Sequence, residues 1–277
     1  MTHGVHVRGS AARRSVELGA QPVGPALGAF SVAGFPDLRS SVDAFVAYAE
    51  HGAAILEVGA PAADPWLDGP AIAAAHRCAL RAGDGVRITL ETVRRVSARS
   101  HAPVVVMSYW STVQALGPQR MAAELASSGA TGCLVPDIPS EHVEQWVAAA
   151  TEAGISAPLL ANRQAPYDEL GIACRAATGF VYAPAVAGQR TGYSAGIDLD
   201  SLAAFVRSLR RIAPSTRVLT GIGVSTPTVA AAVVANGAVD GVVVGSPLIR
   251  AFAENGLSRA AELVHEFAAS IAQPRDR

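Results

Sequence analysis

Short apolar runs and longer amphipathic runs alternate from about residue 27 to the end of the chain. The apolar runs have strand length and cover 27–33, 53–59, 103–109, 132–136, 157–161, 179–183, 217–221 and 240–245. Between them, apolar positions recur at helical spacing over 38–51, 71–83, 88–100, 120–128, 141–153, 167–177, 202–212 and 227–236. Gly52, Gly83, Gly129, Gly154 and Gly237 stand where these helices should stop. The strands are near-continuous apolar runs, which fits a parallel sheet covered on both faces. About eight β/α units in about 250 residues is the arithmetic of a (β/α)8 TIM barrel, an α/β fold in a single domain. A doubly wound open sheet is the competing architecture, but no G-x-G-x-x-G follows the first strand. Residues 25–277 are assigned to the barrel. Residues 1–24 carry Arg8, Arg13 and Arg14 without an apolar segment, so they read as a loosely packed tail and not as a secretory signal.

One position breaks the apolar pattern. Glu57 lies inside the second run, and alternation places it with Ile55 and Gly59 on one face, opposite Leu56 and Val58. A buried carboxylate either raises its pKa or finds a partner. The loop that follows, within ILEVGAPAADPWLDGP at 55–70, adds Asp64 and Asp68. A buried acid at a strand end with a second acid just beyond suits general acid/base chemistry, although a structural Glu paired with an Arg has the same signature. In a barrel, the C-terminal strand ends and their loops carry the chemistry. Tyr109, Asp137 and Tyr182 occupy such ends, as do Gly221-Ile222-Gly223 and Gly245-Ser246. Glycines after strands 7 and 8 let backbone N–H groups approach a phosphate, and tight turns are the plainer explanation of the same residues.

Composition removes several classes of function. A net charge of −1 and a pI near 6.7 give no basic surface for nucleic acid or an anionic membrane. No apolar run is long enough to span a bilayer, so a cytoplasmic protein is expected. Cys78, Cys133 and Cys174 form no C-x-x-C pair, and the seven His residues form no ligand-spaced cluster, so no metal is expected. His76 reads as a helix-surface residue. All 22 basic residues are Arg. Without a Lys amine the chain can form no Schiff base and no pyridoxal-phosphate linkage, and it has no Walker-type phosphate loop. No cofactor is expected.

The ordered motifs Ala33-Gly34-Phe35-Pro36-Asp37, Leu56-Glu57-Val58-Gly59, Asp64-Pro65, Asp68-Gly69-Pro70 and Met107-Ser108-Tyr109 carry a family resemblance. It continues through Val135-Pro136-Asp137-Ile138-Pro139, Gly179-Phe180-Val181-Tyr182, Gly221-Ile222-Gly223 and Val244-Gly245-Ser246. From about Ala26 onward the chain resembles the tryptophan synthase alpha subunit. That family is a (β/α)8 barrel lyase that splits indole-3-glycerol phosphate into indole and glyceraldehyde 3-phosphate in tryptophan biosynthesis.

The resemblance implies roles. Glu57 would be the catalytic acid/base, Asp68 the second catalytic carboxylate, and Tyr182 the residue positioning Glu57. Phe30 and Tyr109 would line the indole pocket, and Thr191 would help close a loop over Asp68. The phosphate would rest on Gly192, Gly221, Gly223, Gly245 and Ser246. Departures fall in the loops: Ala62, Ala63 and Trp66 after strand 2, Tyr109-Trp110-Ser111-Thr112 after strand 3, Asn162-Arg163 after strand 5, and an additional residue in Gly188-Gln189-Arg190-Thr191-Gly192. The family's beta subunit is the implied partner. The altered loops leave open a stand-alone lyase or a paralogue in a specialised indole pathway, and Arg163 and Arg190 could contact a modified indole phosphate. A catalytically silent, phosphate-ligand-binding regulatory subunit is the non-enzymatic alternative.

Overall fold

The computed structural model describes residues 24–272 except 187, 189, 193–195 and 237. The expected tail and the helix-stop glycine Gly237 therefore lie outside the described residues, apart from Gly24. In chain order the elements are β1 (Ala26–Val32), α1 (Leu38–Glu50), β2 (Ile55–Gly59), α2 (Pro70–Leu80), α3 (Gly85–Ser97), β3 (Val104–Met107), α4 (Trp110–Leu116), α5 (Pro118–Ser128) and β4 (Gly132–Leu134). They continue with α6 (Val143–Ala153), β5 (Leu159–Leu160), α7 (Tyr167–Ala176), β6 (Phe180–Tyr182), α8 (Leu199–Ile212), β7 (Arg217–Thr220), α9 (Pro227–Ala235), β8 (Gly241–Val244) and α10 (Ser246–Ile271). All strand pairs are parallel, in the order β4-β3-β2-β1-β8-β7-β6-β5. Single bridges Gly132↔Ser156 and Val135↔Leu159 join the two ends, so the sheet closes on itself. This is the expected eight-stranded barrel.

Local chemistry sets most helix starts. Asp37, Asp84, Asp198 and Thr226 accept backbone N–H groups at the first turns of α1, α3, α8 and α9. Pro70, Pro118, Pro227 and Pro247 occupy first-turn positions, where a missing N–H costs nothing. Gly129 and Gly154 end α5 and α6 in the left-handed region. Strand residues alternate between the barrel axis and the helical layer, and Phe30, Glu57, Met107, Leu134, Leu160, Tyr182 and Val243 point inward to a common cavity.

Several elements differ from expectation, among them β5, α6 and α4. β5 has two residues instead of five, because Pro158 has no N–H for the ladder. α6 is preceded by a 3-10 turn, Ser140–His142, instead of starting at residue 141. α4 had no counterpart in the sequence pattern. Its first N–H, on Trp110, is held by Asp137 Oδ1 at 2.7 Å, a cap supplied from the loop after β4. Among the described residues, no helix is long and apolar enough to cross a membrane.

Candidate active site

One cavity at the C-terminal ends of the strands gathers Phe30, Glu57, Asp68, Tyr182, Thr191, Gly192, Gly221, Gly223, Gly245 and Ser246. Its apolar wall comes from Ile72, Met107, Leu134, Leu160 and Val243. Phe30 is seated by two glycines. A Cβ on Gly59, at the end of β2, would come within 2.7 Å of the ring, and one on Gly245, after β8, within 2.8 Å. Since β1 pairs with β2 and β8, these glycines clear the space on both sides of the ring.

Glu57 is buried and faces this cavity. Burial, and then the nearby charge of Asp68, push its carboxyl pKa up to about 8. The group therefore holds its proton at neutral pH. Tyr182 projects from β6 into the same cavity. Its pKa is raised by burial and next by the charge of Glu57, which places its ring close to that acid. A side chain on Gly221 would overlap the Tyr182 hydroxyl, so this glycine gives the tyrosine its position.

Asp68 has a different environment. Its Oδ2 accepts from Tyr109 Oη at 2.8 Å and from His76 Nε2 at 3.2 Å. Its Oδ1 accepts from Thr191 Oγ1 at 3.2 Å. Three donors on one carboxyl group match the acceptor inventory of the ionised form. Thr191 also accepts the N–H of Gly69 at 2.8 Å, and its own N–H donates to Leu67 O at 3.1 Å. The loop after β6 is thus fastened to the loop after β2.

Two expected placements are corrected. Tyr109 is buried beside Asp68 and is not among the residues lining the cavity; its hydroxyl is held by the carboxylate. His76 is not on a helix surface but completely buried, with Nδ1 accepting the Ala62 N–H at 3.1 Å. Asp64, the other loop acid, is exposed and lies in a separate groove. Arg163 is turned away from the cavity. Its guanidinium donates to Ala185 O at 2.5 Å and Ser201 Oγ at 2.6 Å and lies over the Phe205 ring, so it holds the β5 and β6 loops to α8. Arg190 is exposed at the mouth, near Gly69 and Thr191. Ser225 and Arg250 also line the cavity, and the sequence reading did not single them out. Past Leu67, Pro136, Leu160 and Ile222 the cavity adjoins a wider vestibule bounded in part by Trp66 and Asp137. Among the described residues no group of three or more His, Cys, Asp and Glu side chains could hold a metal.

Residues 20–274 match the family model described as tryptophan synthase alpha chain. The chain belongs to the tryptophan synthase alpha chain family. The tryptophan synthase alpha chain of Leifsonia xyli subsp. xyli is 36% identical over 239 residues, spanning 85% of this chain and 88% of the relative. The tryptophan synthase alpha chain of Geobacter sulfurreducens is 36% identical over 251 residues, 91% of this chain and 92% of the relative. Among solved structures, Mycobacterium tuberculosis tryptophan synthase superposes with a TM-score of 0.81 at 34% identity, covering 91% of this chain and 94% of the other. As a tryptophan synthase alpha chain family member, the protein has the barrel, strand for strand, that the alternation of its sequence implied.

Proposed function

We propose that this chain is a carbon–carbon lyase that cleaves indole-3-glycerol phosphate by a retro-aldol reaction to indole and glyceraldehyde 3-phosphate. The observation that carries the reading is the contrast between two acids in one cavity: a buried Glu57 whose pKa is pushed up to about 8, and a donor-held Asp68. Breaking the bond between indole C3 and the side chain requires a proton at C3 and loss of a proton from the adjacent hydroxyl. Glu57, neutral at pH 7, delivers the first proton and becomes a carboxylate. That carboxylate then accepts the hydroxyl proton as the bond breaks, and the aldehyde forms. The acid returns to its starting state, so protons balance over one turnover.

Positive charge develops on the indole ring after C3 is protonated. Asp68 accepts a hydrogen bond from the ring N–H and stabilises that charge in a site of low polarity. Tyr182 positions Glu57. Phe30 packs against the ring, while the backbone of Gly192, Gly221, Gly223, Gly245 and Ser246 holds the phosphate. The first turn of α10 adds its N-terminal N–H groups, and Arg250 adds a cation. The ring itself serves as electron sink, so the chemistry needs no Lys. Nothing in this scheme calls for a modified indole or a silent regulatory subunit.

A tryptophan synthase beta subunit is the proposed partner, seated over the vestibule beside Trp66. A second reading, a lyase that works alone, is supported by the bonds that already fasten Thr191 to Leu67 and Gly69. Indole release from indole-3-glycerol phosphate, with and without a beta subunit, tests both. Slow turnover accelerated by the beta subunit supports the partnered enzyme, and fast turnover unaffected by it supports the solitary one. No turnover under either condition overturns the lyase.

A further inference from the structure

His76 and Tyr109 both bond Asp68 and are left unused by the chemistry above, and of the two His76 also holds the backbone of the loop. It projects from the second turn of α2, and none of its surface reaches solvent. Both ring nitrogens are engaged. The N–H of Ala62 points at Nδ1 at 3.1 Å. A backbone N–H can only donate, so Nδ1 must carry a lone pair, and the ring proton resides on Nε2. That proton is directed at Asp68 Oδ2 at 3.2 Å. The backbone therefore selects the tautomer that serves the carboxylate.

The two bonds also span a loop. Ala62 stands near the start of the segment after β2, and Asp68 near its end, so one imidazole ties both to α2. With Tyr109 on the same oxygen, Oδ2 has two donors from the protein. Oδ1 has only Thr191, and it is the oxygen with acceptor capacity left for a ligand.

We propose that His76 is a positioning residue that sets the orientation of Asp68, so that Oδ1 meets the substrate N–H while Oδ2 stays committed to the protein. The inference rests on the lyase reading given above. His76 touches no reacting atom. Its effect reaches the substrate through Asp68 and through the loop path from Ala62 to Asp68.

Two substitutions separate the two bonds. In His76→Gln the amide nitrogen can take the place of Nε2 and still donate to Asp68, while the acceptor for Ala62 is lost. In His76→Asn the amide oxygen can take the place of Nδ1 and still accept from Ala62, while the donor to Asp68 is lost. Indole release by the purified full chain, with its melting temperature measured alongside, gives the readout. His76→Asn is expected to lose about tenfold or more in kcat, in line with a charge-assisted hydrogen bond. His76→Gln is expected to stay within about threefold of wild type, even where its melting temperature falls as far as that of the Asn variant. Wild-type kcat in folded His76→Asn overturns the inference. So does an equal loss of kcat in both variants that follows their melting temperatures, because that pattern marks simple packing. Asp68→Asn serves as the control on the underlying reading. Full activity in Asp68→Asn removes the lyase role of Asp68 itself, whereas an inactive Asp68→Asn beside a fully active His76→Asn removes only the role of His76.

Discussion

Thr191, 122 residues downstream of Gly69, accepts its backbone N–H at 2.8 Å and in the same geometry donates to Asp68. The contact is tight on both sides. A Cβ on Gly69 would overlap the carbonyl oxygen of Thr191, although Gly69 itself sits at φ −79° and ψ 176°, a conformation open to any residue. Gly69→Ala should therefore displace the β6 loop without straining the barrel. Indole release should fall by about tenfold or more while the melting temperature changes little. Faster tryptic cleavage at Arg190 should accompany the loss.

Glu57→Gln removes the transferable proton and keeps the shape. Turnover should drop by roughly two to four orders of magnitude, the range for a positioned acid/base. Binding of a non-cleavable analogue, with hydrogens in place of the glycerol hydroxyls, should stay within a few fold. Comparable losses in both measurements would show that Glu57 binds substrate instead of moving protons.

The raised pKa of Glu57 also makes stability depend on pH. The folded state keeps the proton up to about pH 8, while the unfolded chain releases it near the ordinary glutamate value of 4.5. Between these values the native state binds more protons, so stability falls as pH rises. Glu57→Gln does not titrate. Its melting temperature should match wild type near pH 4.5 and exceed it by a growing margin up to about pH 8. Activity should decline over the alkaline side of the same range, as the acid form of Glu57 is lost.

Asp137 holds two loops. Besides the N–H of Trp110, it accepts from Trp66 Nε1 at 3.4 Å. Asp137→Ala should cost about 1 kcal/mol through the lost cap of α4, measurable by thermal or urea unfolding. Trp66 is half exposed, and its fluorescence should shift to longer wavelength when the tie is removed.

The alternation of apolar and amphipathic segments was enough to read the barrel, because each strand is buried on both faces and each helix on one. Glu57 was legible for the same reason, as an acid inside an apolar run. Features made by distant partners were not. The cap of α4 comes from Asp137, 27 residues on, so nothing in the local sequence of α4 marks its start. His76 looked like a surface residue because its partners, Ala62 and Asp68, meet it only when the loop folds back on α2. A His eight residues after a loop acid, on the same helix face as Ile72 and Ala79, was the available signal. The resemblance implies a pocket-lining Tyr109, and the structure instead has it bonded to Asp68 outside the cavity lining, a contact between residues 41 positions apart that no local motif marks.

The barrel has a seam. Seven strand-to-strand junctions carry registers of two or more residue pairs, while β4 and β5 meet through two single bridges. Opening free energies follow such local differences, so backbone amide exchange is expected to be faster along this line than between β1 and β2. Leu134 and Leu160, from the two strands at the seam, also form part of the cavity wall. The junction with the fewest registered pairs therefore also borders the cavity, two strands away from the one that carries Glu57.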